Sequence, residues 1–253
     1  MPTHSTFQIR AAFVLVCVVL SAQSALVVGF NPSPSTRSSC RKRSSNLALT
    51  SLIATATNKF TDTFVYTKNK PNNEDKNNIA KDLIATCKNY GQIGSKLTDE
   101  ERAEIDTIVS TLSSYSDPSP AKLLLEGTHE LIYSASPGGS SGALGPFVGK
   151  VTQSFLDDIQ FINRVELFNG ILKVELNADR EVLDSSRIRV NFKETTFYVF
   201  GKEVARKEAK GVGVWKYEFG GAVTNGEEGE ELFLRVLKTP STFVIAQRKR
   251  DTT

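Results

Sequence analysis

The sequence predicts a mainly β protein with amino-terminal helices: an antiparallel β-barrel over residues 127–250, preceded by two amphipathic helices within 74–120. Two observations carry this. From Gly127 onward apolar residues alternate with polar ones at a period of two, whereas before Gly127 they recur at helical spacing. No helical pattern interrupts the later run, so consecutive strands pair as antiparallel neighbours, and closure into a barrel of about eight or nine strands removes the exposed edges.

The first helix is read from Glu74 to Tyr90. Ile79, Leu83, Ile84 and Cys87 fall on one face, and Gly91 stands where a carboxy-terminal cap is needed. The second begins at Thr98, whose hydroxyl can accept from the backbone while Glu101 reaches back in a capping box. Ile105, Ile108, Val109 and Leu112 form its apolar stripe, and Asp117, Pro118 and Pro120 end it.

The strands follow. Leu172, Val174 and Leu176 alternate with Lys173, Glu175 and Asn177; Ile188, Val190 and Phe192 alternate with Arg187, Arg189, Asn191 and Lys193. Further strands are expected near 129–135, 148–155, 161–167, 196–200, 212–219, 232–237 and 243–248. Between Phe168 and Ile171 an Asn-Gly pair suits a two-residue hairpin turn, whose central residues both need positive φ. Strands this short, with scattered aromatic residues, do not suit a membrane barrel, so the apolar side chains are placed inside. A barrel of this size is either filled by its own side chains or holds one small ligand, and the sequence leaves both open.

The amino-terminal stretch belongs to neither element. Residues 1–61 hold Arg10, Arg37, Arg41, Lys42, Arg43 and Lys59 and no acid, a net +6 in a chain of +3, which leaves −3 on the remainder. The basic excess therefore sits in the presequence and gives no basis for nucleic-acid binding. Arg10, the apolar run 11–20 and small residues at Ser21, Ala22, Ser24 and Ala25 have the layout of a secretory signal, taken as 1–29. A cut before Ala25, with Ala22 and Ser24 at the small-residue positions, and an uncleaved anchor running to Val28 are the alternatives. Residues 30–61 have the composition of an organelle transit region. The pair resembles the two-part targeting used for plastids bounded by extra membranes, as in diatoms, where a Phe start favours a cut before Phe30. Cys17 and Cys40 fall in these segments, so Cys87 alone remains and no internal disulfide is possible.

Six segments in order, GTHELIYSAS (127–136), GPFVGKVTQSFLDD (145–158), FINRVEL (161–167), LKVELNADREVLDSSRIRVNFKETT (172–196), GVGVWKYEF (211–219) and LRVLKTPSTFVIAQR (234–248), resemble the plastid lipid-associated protein, or fibrillin, family. The resemblance implies a domain over 74–253 with a lipocalin-like barrel, located in plastids at thylakoids or lipid globules. It also implies that lipids, carotenoids or prenylquinones are the partners, with no catalysis and no cofactor. The family usually has Trp two residues after the first-strand glycine, closing the barrel floor. Here Gly127-Thr128-His129 puts an imidazole in that place, and Arg248 either packs against that ring or is solvated.

Little else carries chemistry. His129 is the one histidine beyond the presequence, which excludes a multi-histidine metal site within the chain and disfavours a catalytic triad. The Gly-rich run 137–146 lacks the spacing of a phosphate loop. Trp215, Tyr217 and Phe219 share one strand face by parity. With Ile188, Val190, Phe192, Leu172, Val174 and Leu176 they are the expected lining of any cavity.

Overall fold

The computed structural model describes residues 72–225 and 230–248. The expected signal and transit segments lie outside the described residues, as does the side chain of Arg248.

Helix α1 (Asn73–Tyr90) starts where the Asn72 side chain accepts from Glu74 N at 3.2 Å. Glu74 and Asp75 in its first turn favour the positive end of the helix dipole. It ends at Gly91, whose φ of 88° turns the chain while its N–H bonds Cys87 O. Helix α2 (Asp99–Ser113) opens with the expected capping box: Thr98 Oγ1 accepts from Glu101 N at 3.2 Å, and Glu101 Oε2 accepts from Thr98 N at 2.8 Å. The two form a hairpin, fixed near its turn by the Tyr90 hydroxyl donating to Glu104 at 2.6 Å.

Eight strands close the barrel. They are β1 (Gly127–Ser134), β4 (Lys150–Phe155), β5 (Gln160–Leu167), β6 (Leu172–Val182), β7 (Arg187–Val199), β8 (Lys202–Asn225), β9 (Glu230–Thr239) and β10 (Ser241–Arg248). A minor pair, β2 (Ala143–Leu144) and β3 (Phe147–Val148), lies in the connection from β1 to β4. Every neighbour is antiparallel, and β1 closes the ring by pairing β10 on one side and β4 on the other.

Two apolar cores result. One fills the barrel. The other lies on its outer wall, where Ala80, Leu83, Ile84, Cys87, Ile105, Val109 and Leu112 of the helices pack on Tyr133, Phe219, Val223, Leu234, Val236 and Val244. Polar ties pin this layer: Lys76 Nζ donates to Ala222 O at 2.9 Å, and Thr242 Oγ1 donates to Asp106 at 2.7 Å. Because helices cover β9, both of its faces are buried. Leu232, Leu234 and Val236 face the helices, so Arg235 and Leu237 face the interior.

Two expectations need correction. The pattern suggested separate strands at 187–193 and 196–200, but both belong to β7. A bulge at Lys193, seen as the register step from Phe192 to Glu194, reverses the parity so that Phe197 re-enters the core and the alternation looks broken. The turn after β5 holds four residues rather than two, with Phe168, Asn169 and Gly170 at φ 52°, 54° and 85°. The two-residue turn with both φ positive lies instead between β7 and β8, at Phe200-Gly201 (49° and 75°).

Cys87 is fully buried in the helix layer, and burial pushes its thiol up to about 12. Its raised pKa adds stability below the ordinary thiol value, and that contribution is lost as pH climbs toward 12. At pH 8 the native thiol is therefore expected to resist iodoacetamide and to react within the unfolding transition in urea. Mass spectrometry of alkylated protein checks this.

Candidate functional site

The barrel interior has a floor and a roof. At the floor, the segment after α2 enters the barrel end: Pro120, Ala121 and Leu125 are buried, and Ala121 N donates to Ser185 O at 3.0 Å. Gly220 makes room for it, since a Cβ there would stand 2.9 Å from Pro120 Cβ. At the roof, the connection 135–149 crosses the opposite end, held by Gln92 Nε2 donating to Ser141 O (2.7 Å) and Gly149 O (3.0 Å).

His129 lies at this end, fully buried, with its ring edge-on to Phe155 (5.2 Å) and Phe233 (6.2 Å). Its Nε2 lies 3.2 Å from Glu126 O, an acceptor, so Nε2 carries the proton and Nδ1 is left without a partner. Burial first, and the nearby Arg235 guanidinium second, lower its pKa to about 3. The imidazole is neutral at physiological pH and serves as packing.

The arginine that meets this ring system is Arg235. Its guanidinium lies 5.0 Å over the Phe155 ring, is 1% exposed, and donates through Nη2 to Gln153 Oε1 at 2.7 Å. Burial lowers its pKa, although a guanidinium stays charged inside proteins. Arg248, for which packing against the His129 ring and solvation were both open, pairs through its backbone with Leu232 at the end of β10. A second cation, Arg180 on β6, is also buried and donates to Ala121 O at 3.2 Å. Neither arginine is in an ion pair with a carboxylate among the described residues. Arg180 Nε and Nη1, Arg235 Nε and the Tyr217 hydroxyl are buried without a conventional hydrogen-bond partner.

Above this polar floor lies a cavity of about 50 Å³. Its wall is apolar, with Leu131, Val151, Val165, Val174, Leu176, Trp215, Leu237, Phe243 and Ile245, and Gly139 and Ser140 of the connection border its roof side. Gln153 and Asn163 are its amide-bearing lining residues. They stand directly opposite each other on β4 and β5.

Of the residues expected to line a cavity, Val174, Leu176 and Trp215 do so. Leu172, Ile188, Val190, Phe192 and Tyr217 are buried in the surrounding interior core without reaching it. Phe219 does not share the face of Tyr217. A bulge at Glu218, where the register steps from Tyr217↔Leu237 to Phe219↔Val236, turns Phe219 outward into the helix layer. Gln153, Asn163, Arg180 and Arg235 were not singled out by sequence reasoning. Parity with Leu172, Val174 and Leu176 does place Arg180 inside, and that signal was there to use.

The residues pointing inward form a small apolar pocket with a basic, donor-rich base. Among the described residues no cluster of three or more metal-ligating side chains accompanies it. No curated protein and no solved structure matches the chain. The PAP_fibrillin family does, over residues 77–231, from within α1 to the start of β9. With more than half its length so matched, the chain belongs to the PAP_fibrillin family of plastid lipid-associated proteins.

Proposed function

We propose that this protein is a non-catalytic lipid-associated protein of the plastid, reached through the secretory route, that docks on a thylakoid or lipid-globule surface. There its barrel takes in part of an apolar molecule such as a lipid, carotenoid or prenylquinone. The observation that carries this reading is the coincidence of cavity and apolar tips at one end. The turns at the roof end expose Phe168 (45%), Ile171 (39%) and Phe200 (73%), and Val148 stands beside them in the connection. Phe200 N donates to Ile171 O at 2.8 Å, and the Phe147 and Phe168 rings meet at 5.0 Å, so the tips form one patch.

Both phenylalanines sit at positive φ, where a bulky side chain costs about 1 kcal/mol that Asn or Gly avoids. Local backbone preference thus argues against aromatic residues at these positions, and contact with lipid supplies a reason for them. The cavity is small beside pockets that enclose a whole ligand. It suits a molecule whose end enters the barrel while the rest stays in the lipid phase.

The double variant Phe168→Asn/Phe200→Asn is expected to unfold at a higher temperature than the unmodified chain, yet to float with galactolipid vesicles or triacylglycerol droplets several-fold less. The floor end also exposes Leu156 and Ile159, so Leu156→Asn/Ile159→Asn is the control, with flotation unchanged. Equal flotation of all three proteins would refute the roof as the docking face. Failure of the unmodified chain both to float and to take up any carotenoid, prenylquinone or fatty-acyl probe would refute the lipid reading itself. The small cavity also favours a second reading, a nearly filled barrel that docks protein partners, and that failure would support it.

A further inference from the structure

We propose that the cavity receives the carboxylate end of a single apolar chain, its oxygens accepting hydrogen bonds from the side-chain amides of Gln153 and Asn163. This rests on the cavity being a ligand site, as proposed above, and adds the chemistry of the ligand. The starting point is the direction in which Gln153 is held. Arg235 has donors and no acceptor, so its contact at 2.7 Å fixes the glutamine oxygen toward the guanidinium. What Gln153 retains for the cavity is its NH2 group. Asn163, opposite it in register, lines the same cavity, and its amide makes no hydrogen bond to the described residues, so its own NH2 is available alongside.

Charge then selects among acceptors. Arg235 stands immediately behind Gln153, and Arg180 lies near enough to act on it electrostatically. The carboxylate beside these strands, Glu175, lies on the outer wall of β6, where it pairs with Arg164 and Lys173 at 2.9 and 3.1 Å. Among the described residues neither interior cation has a counter-ion, and charge there is poorly screened. An anionic head placed on the two amides is attracted by both, whereas a neutral ester or alcohol gains the hydrogen bonds alone. The narrow cavity and its aliphatic wall of Val151, Val165, Val174 and Leu237 admit one chain and not a fused ring system.

The test is competition for cis-parinaric acid bound to the full chain, using palmitate, methyl palmitate and hexadecanol at neutral pH. Palmitate is expected to displace the probe at a concentration about tenfold lower than the ester or the alcohol. Gln153→Glu is the companion variant. Its carboxylate gives Arg235 a partner, so it is expected to fold with undiminished thermal stability while palmitate competes about tenfold more weakly, because like charges now meet. Asn163→Leu, which removes a donor and adds no charge, is expected to weaken palmitate by a larger factor than the ester, because a hydrogen bond to a charged acceptor is the stronger one. If ester and alcohol compete as well as the acid, the carboxylate assignment is overturned and the lipid reading stands. If no apolar probe binds at all, both fall. Unaltered palmitate affinity in folded Gln153→Glu and Asn163→Leu would place the head group elsewhere and overturn the assignment.

Discussion

Between pH 6.5 and about 4 the folded protein is expected to lose stability at close to about 1.4 kcal/mol per pH unit, the slope of one proton taken up on unfolding. The proton is that of His129. In the folded state burial and the Arg235 guanidinium hold its pKa to about 3, whereas the unfolded chain protonates near 6.5. A depressed folded pKa gives stability that is fully present above 6.5 and lost as pH falls toward 3, for a total of about 4 to 5 kcal/mol. Urea unfolding at pH 7, 6 and 5 reads this slope before the carboxylates contribute much. Asp184, for example, is held to about 2 by the Ser186 N–H and by Arg187, so its contribution falls away only below the ordinary carboxylate range. In His129→Phe the slope between pH 7 and 5 is expected to vanish. An equal slope in both proteins would show that another group takes up the proton.

Phe219→Ala is expected to cost about 3 to 5 kcal/mol and to expose α1 and α2 to amide exchange before the barrel opens. Phe219 is 1% exposed and fills the layer between helices and barrel, so truncation leaves a cavity between the two. Tyr217→Ala, two residues away, is expected to destabilise the barrel interior and leave the helices protected. The contrast between neighbours tests the bulge at Glu218. Had both rings shared a face, both truncations would loosen the same layer. Hydrogen exchange followed by mass spectrometry on residues 79–112 decides it.

These predictions turn on what alternation can and cannot convey. The helix limits were legible because caps are local chemistry: Thr98 and Glu101 contact each other, and Gly91 takes the positive φ that ends the first helix. The strands were legible because period two survives in any half-buried sheet. Which face points inward was not legible wherever a second layer buries the outer wall. In β9 the most apolar face, Leu232, Leu234 and Val236, faces helices and leaves Arg235 inside. Bulges were also hidden, since one extra residue at Lys193 or Glu218 leaves composition unchanged and inverts everything after it. The donor pair Gln153 and Asn163 depends on the register between two strands, a long-range fact with no short motif. The floor position of His129 was suggested by the family resemblance, in which the ring two residues after the first-strand glycine closes the barrel, and not by periodicity.

The wall of the barrel also governs how two copies of the chain can meet. The pairing of β8 with β9 begins only at Lys216, so residues 202–215 of β8 are hydrogen-bonded along one side, to β7, and among the described residues have no strand partner on the other. A bare edge of this length is a template for another copy, and Val204, Val212 and Val214 on it are exposed. The same stretch carries Lys202, Arg206, Lys207 and Lys210 among Glu203 and Glu208. Arg206 and Lys210 pair with acids of the same wall, and the cationic excess that remains along this edge disfavours sheet extension between two molecules, because the same charges would meet across the seam.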